Sequence, residues 1–163
     1  MNIMQLKDIL EILSSIAIIL GIPFGLLEYI RTKRREQRDR EYETYNALDE
    51  KYLQYLALCL EHTDLDIFDV ADSNPSELNE KQKKEELIAF TILFSIFERA
   101  YIMYYDQSTK IKEKQWKGWE GYIREYCGRK NFIQAWKISG QYFDADFQKF
   151  MEKTIHKEIN KNK

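Results

Sequence analysis

The chain has 163 residues, a net charge of -2, 14% aromatic residues, and only 6 glycines and 2 prolines. A charge so near zero supplies no bulk field to recruit nucleic acid or an acidic partner. The scarcity of Gly and Pro argues against a β-rich domain and fits helices joined by short connections.

In chain order, Met1 to Asp8 holds one lysine and one aspartate. The stretch from Ile9 to Ile30 follows, with no charge between Glu11 and Glu28. About 22 residues of helix extend roughly 33 Å, which matches a hydrocarbon core of about 30 Å. A core helix of a globular protein would carry a polar face, and this stretch has none. A cleaved signal peptide would need a basic start and a small-residue cleavage site, and neither is present. Residues 1–30 are therefore predicted to be a transmembrane anchor.

Residues 31–41 form a basic collar: Arg31, Lys33, Arg34, Arg35, Arg38 and Arg40, against Lys7 alone on the other flank. Cationic flanks stay cytoplasmic. The expected topology is a single pass in the inner (plasma) membrane, with the N-terminus out and the rest cytoplasmic, the collar lying at lipid headgroups. Within the span, Ala17, Gly21 and Gly25 recur every four residues. Small residues at this spacing let two membrane helices approach closely. Pro23 removes a backbone donor and predicts a kink.

Past the collar, about 130 residues remain, enough for one small domain, with aromatic side chains to supply its core. Residues 42–156 are read as a helical cytoplasmic domain and 157–163 as a flexible Lys-rich tail. Glu36 to His62 reads as one helix continuous with the anchor, its apolar stripe formed by Tyr45, Leu48, Tyr52, Tyr55 or Leu56, and Cys59. The stripe lasts only about two heptads, which favours a first core helix over a coiled-coil stalk. A loop follows through Ser76, and Asn74 or Ser76 is the expected cap of the next helix.

That helix is charged from Lys81 to Glu86 and then nearly all apolar to Tyr105. Its uncharged run of about 11 residues is short for a membrane span, so it is expected to be the central helix of the domain. Glu98 and Arg99 interrupt it and must pair or turn to the surface, which makes them a candidate buried pair or ligand site. From Lys112 to Cys127 the spacing of Trp116, Trp119, Tyr122, Ile123 and Tyr126 predicts an amphipathic helix, closed by Gly128 in a left-handed conformation. Asn131 is expected to cap a short helix through Phe132, Ile133, Trp136 and Ile138, broken at Ser139 and Gly140. Asp144 is expected to cap a last helix with Phe147, Phe150, Met151, Thr154 and Ile155 inward.

Chemistry is sparse. His62, Asp64 and Asp66 alternate on the loop and Cys59 precedes them, but zinc ligands come in two pairs and there is no second pair. These residues are read as helix-end caps, and no metal or cofactor is expected. Cys59 and Cys127 are expected to be free, buried thiols. No G-x-S-x-G, phosphate loop or H-E-x-x-H occurs. Basic residues and aromatics are segregated, contrary to the pattern of single-strand nucleic-acid binders.

The anchor with its collar, the run Glu61-His62-Thr63-Asp64-Leu65-Asp66, Trp116, Trp119, Trp136 and Phe147-Gln148-Lys149-Phe150 together give a layout that resembles small, largely uncharacterised bacterial proteins with one N-terminal transmembrane anchor and an α-helical cytoplasmic domain. The resemblance implies that architecture and no particular activity. The expected fold is all-α, an anchor helix continuing into a bundle of about four to five helices. The expected function is non-enzymatic: a membrane-anchored protein-interaction or scaffolding module, self-associating through its membrane helix. Its expected partners are membrane lipid and either another protein or further copies of itself, with no nucleic acid and no small-molecule substrate. Two alternatives stand beside it, a membrane-disrupting effector of a bacterial defence system and an accessory subunit of a larger membrane complex.

Overall fold

The computed structural model describes residues 3–68, 78–105 and 109–161; among side chains before Gly21 it describes those of Lys7, Glu11 and Ile19, and the side chain of Lys110 is likewise outside the description. Five α-helices and one short 3-10 helix make up the described residues, without a strand. They are α1 (Ile3–Glu61), α2 (Glu80–Tyr104), α3 (Lys110–Cys127), α4 (Lys130–Ser139) and α5 (Ala145–Lys161), with the 3-10 turn at Gly140–Tyr142. The all-helical expectation holds. The chain divides into two compact units, Met1–Asn46 and Ala47–Lys163, and α1 contributes to both.

The first unit is α1 alone. Pro23 lies inside this helix, where it cannot donate to the carbonyl four residues back. Beyond Tyr29 the helix is charged, and Glu36 accepts from Lys33 at 3.0 Å while Arg40 stands 3.6 Å away. Such pairs at three- and four-residue spacing support a helix from its own side chains.

In the second unit, the last turns of α1 carry Leu48, Tyr52, Tyr55 and Cys59 into the core. Steps of four, three and four residues keep them on one face. This is a core helix, as its short apolar stripe suggests. α2 lies at the centre and packs against α3, α4 and α5. Its Phe90, Leu93, Phe94 and Phe97 are completely buried. Trp116, Trp119, Ile123 and Tyr126 from α3, Phe132 and Trp136 from α4, and Phe147, Met151 and Ile155 from α5 complete the core. Rings meet mostly edge to face: Phe94 with Trp136 at 5.1 Å and 84°, Phe90 with Phe132 at 5.5 Å and 90°. That geometry places positive ring edges against negative faces. The buried hydroxyls of Ser139 and Thr154 are satisfied, Ser139 by Thr91 at 3.0 Å and Thr154 by the Phe150 carbonyl at 2.8 Å.

Several expected helix ends are corrected. Asn74 and Ser76 lie outside the described residues, and the cap of α2 is Asn79. Its Oδ1 accepts from the backbone of Lys81 and Gln82, while Gln82 Oε1 accepts from Asn79 N at 2.9 Å. This reciprocal pair satisfies donors that the first helical turn leaves free. Gly128 is not left-handed: its φ is -82° and ψ -11°. Arg129, not Asn131, precedes α4, and Asn131 lies inside the helix with its side chain turned to another task. Asp144 does cap α5, accepting from Asp146 N and Phe147 N. α5 continues past Lys157 to Lys161; there Glu158 pairs with Arg124 and Lys161, and Ile159 packs on the core.

Candidate functional site

Around the middle of the first unit, α1 presents Ile19, Ile22, Phe24, Leu26, Leu27 and Tyr29, each more than half exposed. At about 100° per residue they span roughly 220° of the helix, with Gly21 and Gly25 on the remaining side, so no rotation hides them behind one packed face. An exposed apolar surface of this kind marks a contact with membrane or protein. A Cβ built on Gly21 or Gly25 would meet nothing within 4 Å. Neither glycine is required by packing within the chain, and both leave the backbone open to a neighbour. The side chain of Ala17, the third member of the expected face, lies outside the described set.

The collar begins one residue after Ile30. Its Arg31 stands 3.8 Å from Glu28, and Lys33 and Arg40 both engage Glu36. Hydrogen bonding from Lys33, and then its charge, holds the Glu36 carboxyl below its usual value.

By length and composition, α2 is among the described residues the helix long and apolar enough to cross a membrane, with 44% of that window buried. The remaining helices of the second unit cover its Phe90–Phe97 face.

Glu98 and Arg99 are not a buried pair. Glu98 is half-buried and its Oε1 accepts from Asp144 N at 2.6 Å, while Arg99 is exposed. Glu98 thus fixes the turn that caps α5.

A polar cluster that sequence spacing does not reveal lies where the segment after α1 crosses the core. Arg129 Nη2 donates to Asp66 Oδ1 and to the Asp66 carbonyl, both at 2.7 Å. Asn131 Nδ2 lies 2.7 Å from that carbonyl, 3.1 Å from Asp66 Oδ2 and 3.1 Å from Glu86 Oε2. Next to it, the hydroxyls of Tyr55 and Tyr126 both donate to the Ile67 carbonyl, at 3.0 and 3.3 Å. The guanidinium of Arg129 sits 5.3 Å from the Tyr126 ring and 5.9 Å from Phe90, and its Nη1 is buried without a hydrogen-bond acceptor among the described residues. Ring faces stabilise a cation in place of water there. Burial raises the Glu86 carboxyl; Asn131 opposes the shift and the Asp66 charge adds to it.

Functionally, this cluster fastens residues 65–67 over the core, with Leu65 and Ile67 buried beneath. Arg129 Nη2 and the two tyrosine hydroxyls are spent on this strap, and Asn131 joins it to Glu86 of α2. Of the metal-ligand candidates, Asp64 accepts from Gln82 at 2.7 Å, which ties the strap to the start of α2. Among the described residues no group of three His, Cys, Asp or Glu is placed to hold a metal ion. Cys59 and Cys127 are free and buried, and burial pushes both thiols up. A thiol kept protonated is a poor nucleophile.

Among the grooves on the second unit are two open ones. One, of about 560 Å³, has Tyr101, Tyr105 and Phe150 as its apolar lining and both acidic and basic residues around them. The other, of about 580 Å³, lies between α4 and α5 over Ile133, Trp136 and Ile155. No family model matches the chain, and neither a curated protein nor a solved structure does, so the functional reading rests on the geometry above.

Proposed function

We propose that the chain is a non-enzymatic, membrane-anchored interaction module that self-associates through its N-terminal helix. The observation that carries this reading is the set of apolar side chains Ile19, Ile22, Phe24, Leu26, Leu27 and Tyr29, exposed over more than half of the circumference of α1. Water would oppose that surface at about 25 cal/mol per Å², whereas a bilayer accepts it. The adjoining collar supports an orientation that is single-pass in the plasma membrane, with the N-terminus out and the helical domain on the cytoplasmic side. Gly21 and Gly25, free of any internal contact, are the surface through which two copies approach.

Two experiments test the reading. Alkaline carbonate extraction of native membranes should leave the full-length chain in the pellet, and release into the supernatant would refute the anchor. Crosslinking in those membranes should give a homo-oligomer that Gly21→Leu abolishes. A wild-type chain that crosslinks only as a monomer would end the self-association part.

A second reading, an accessory subunit of a larger membrane complex, is favoured by apolar side chains left exposed on the domain, among them Ile88, Ile138 and Tyr142. Gentle extraction would then yield other proteins in fixed stoichiometry.

A further inference from the structure

The collar is not one uniform belt of charge. Arg31, Arg34, Arg35 and Arg38 follow one another at steps of three, one and three residues along α1. At about 100° per residue they share one side of the helix, within an arc of roughly 100°. Lys33 and Arg40 lie on the other side, and both are engaged by Glu36. Lys33 also sits 5.9 Å from the Tyr29 ring. Arg31 faces Glu28 at 3.8 Å, but no carboxylate oxygen lies within 4 Å of Arg34, Arg35 or Arg38 among the described residues. All four arginines of this side are exposed. The collar therefore has a partly neutralised side, whose two cations share Glu36, and an open side, on which Arg31 alone has a carboxylate within 4 Å among the described residues.

The open side consists entirely of arginine. A guanidinium offers a planar fork of donors that matches two phosphate oxygens at once, which an ammonium cannot do. Its height is also suited to phosphate. The stripe starts directly after the exposed apolar residues that end at Ile30 and rises about 10 Å over seven residues. The headgroup layer on each side of a bilayer is about 5 to 8 Å deep, so the first three arginines lie in it and Arg38 reaches it by bending its stem back. Tyr29 sits at the boundary, where aromatic residues collect.

We propose that Arg31, Arg34, Arg35 and Arg38 form a binding stripe for the phosphates of anionic phospholipid headgroups, while Lys33 and Arg40 contribute charge but no lipid contact. The proposal rests on the membrane-anchor reading. Zwitterionic lipid carries the same phosphate, but its choline group repels the neighbouring arginines, so selectivity for net-anionic lipid is required.

The test uses the full-length chain in detergent micelles doped with either phosphatidylglycerol or phosphatidylcholine, with retained lipid counted by native mass spectrometry. Two double variants remove equal charge: Arg34→Gln with Arg38→Gln on the open side, and Lys33→Gln with Arg40→Gln on the neutralised side. The stripe pair should lower phosphatidylglycerol retention by more than about tenfold, at about fivefold per cation near a lipid surface. The control pair should change it less than about twofold. Equal losses in the two variants, or equal retention of the two lipids by the wild type, would overturn the stripe. Carbonate extraction judges the anchor separately, since the lipid count is made in micelles.

Discussion

Gly140 and Gly118 have opposite surroundings, and the same substitution separates them. A Cβ on Gly140 would lie 2.7 Å from Trp136 Cε2. The indole cannot retreat, because Phe94, Phe143 and Phe147 hold it from other sides. Gly140→Ala should cost about 1 to 3 kcal/mol of stability by overpacking, measured as a lower urea midpoint. Gly118 is exposed inside α3 with nothing within 4 Å, and Gly118→Ala should raise stability by about 0.5 to 1 kcal/mol. Arg129→Met would leave the partly buried Asp66 carboxylate with Asn131 alone, at a cost on the order of 3 kcal/mol. Glu86 works in the reverse sense. Its folded-state pKa lies above the ordinary 4.5 because burial disfavours the charge, so the folded state binds the proton more tightly. The stability this contributes is present below the ordinary value and is lost as pH rises through the raised one. Glu86→Gln should therefore be more stable than wild type at pH 7, and the gap should close near pH 4. Urea titrations at both pH values would show it. None of these partnerships is readable from spacing, since Arg129 and Asp66 stand 63 residues apart.

At the scale of single helices, Asn79→Ala should remove the side-chain half of the capping box at the start of α2, in which Oδ1 accepts from Lys81 N and Gln82 N, costing about 1 kcal/mol. Amide exchange in the first turn of α2 would speed up while the Phe90–Phe97 region stayed protected. Helix identity was largely legible because apolar residues recur at three and four: Leu48, Tyr52, Tyr55 and Cys59, or Phe147, Met151 and Ile155, announce their buried face directly. Helix ends were less so. Five residues before α2, Asp72, Ser73, Asn74, Ser76 and Asn79, have capping side chains, and Glu77 follows Asn74 at the same spacing as Gln82 follows Asn79, so the capping-box pattern does not choose between them. The end of α5 depends on Arg124 reaching Glu158 from another helix, a tertiary contact that no local pattern encodes. Glu98 looked like half of a charge pair because Arg99 follows it. Neighbours in a helix point about 100° apart, which sends one toward the α5 cap and the other to water.

For the molecule as a whole, the division into Met1–Asn46 and Ala47–Lys163 predicts that a chain lacking residues 1–40 keeps its core. That fragment should stay in the aqueous phase without detergent and unfold cooperatively, as followed by circular dichroism, whereas the full chain should need detergent. A truncated chain that lost its helicity would show that α1 upstream is required for the fold. The three tryptophans, Trp116, Trp119 and Trp136, all belong to the second unit and all are buried. With no indole in the first 46 residues, intrinsic emission from the intact protein is a label-free gauge of the domain alone. Lipid exchange at the collar should pass unseen in that signal, and any ligand that shifts it will have acted on the helices around Trp119 and Trp136.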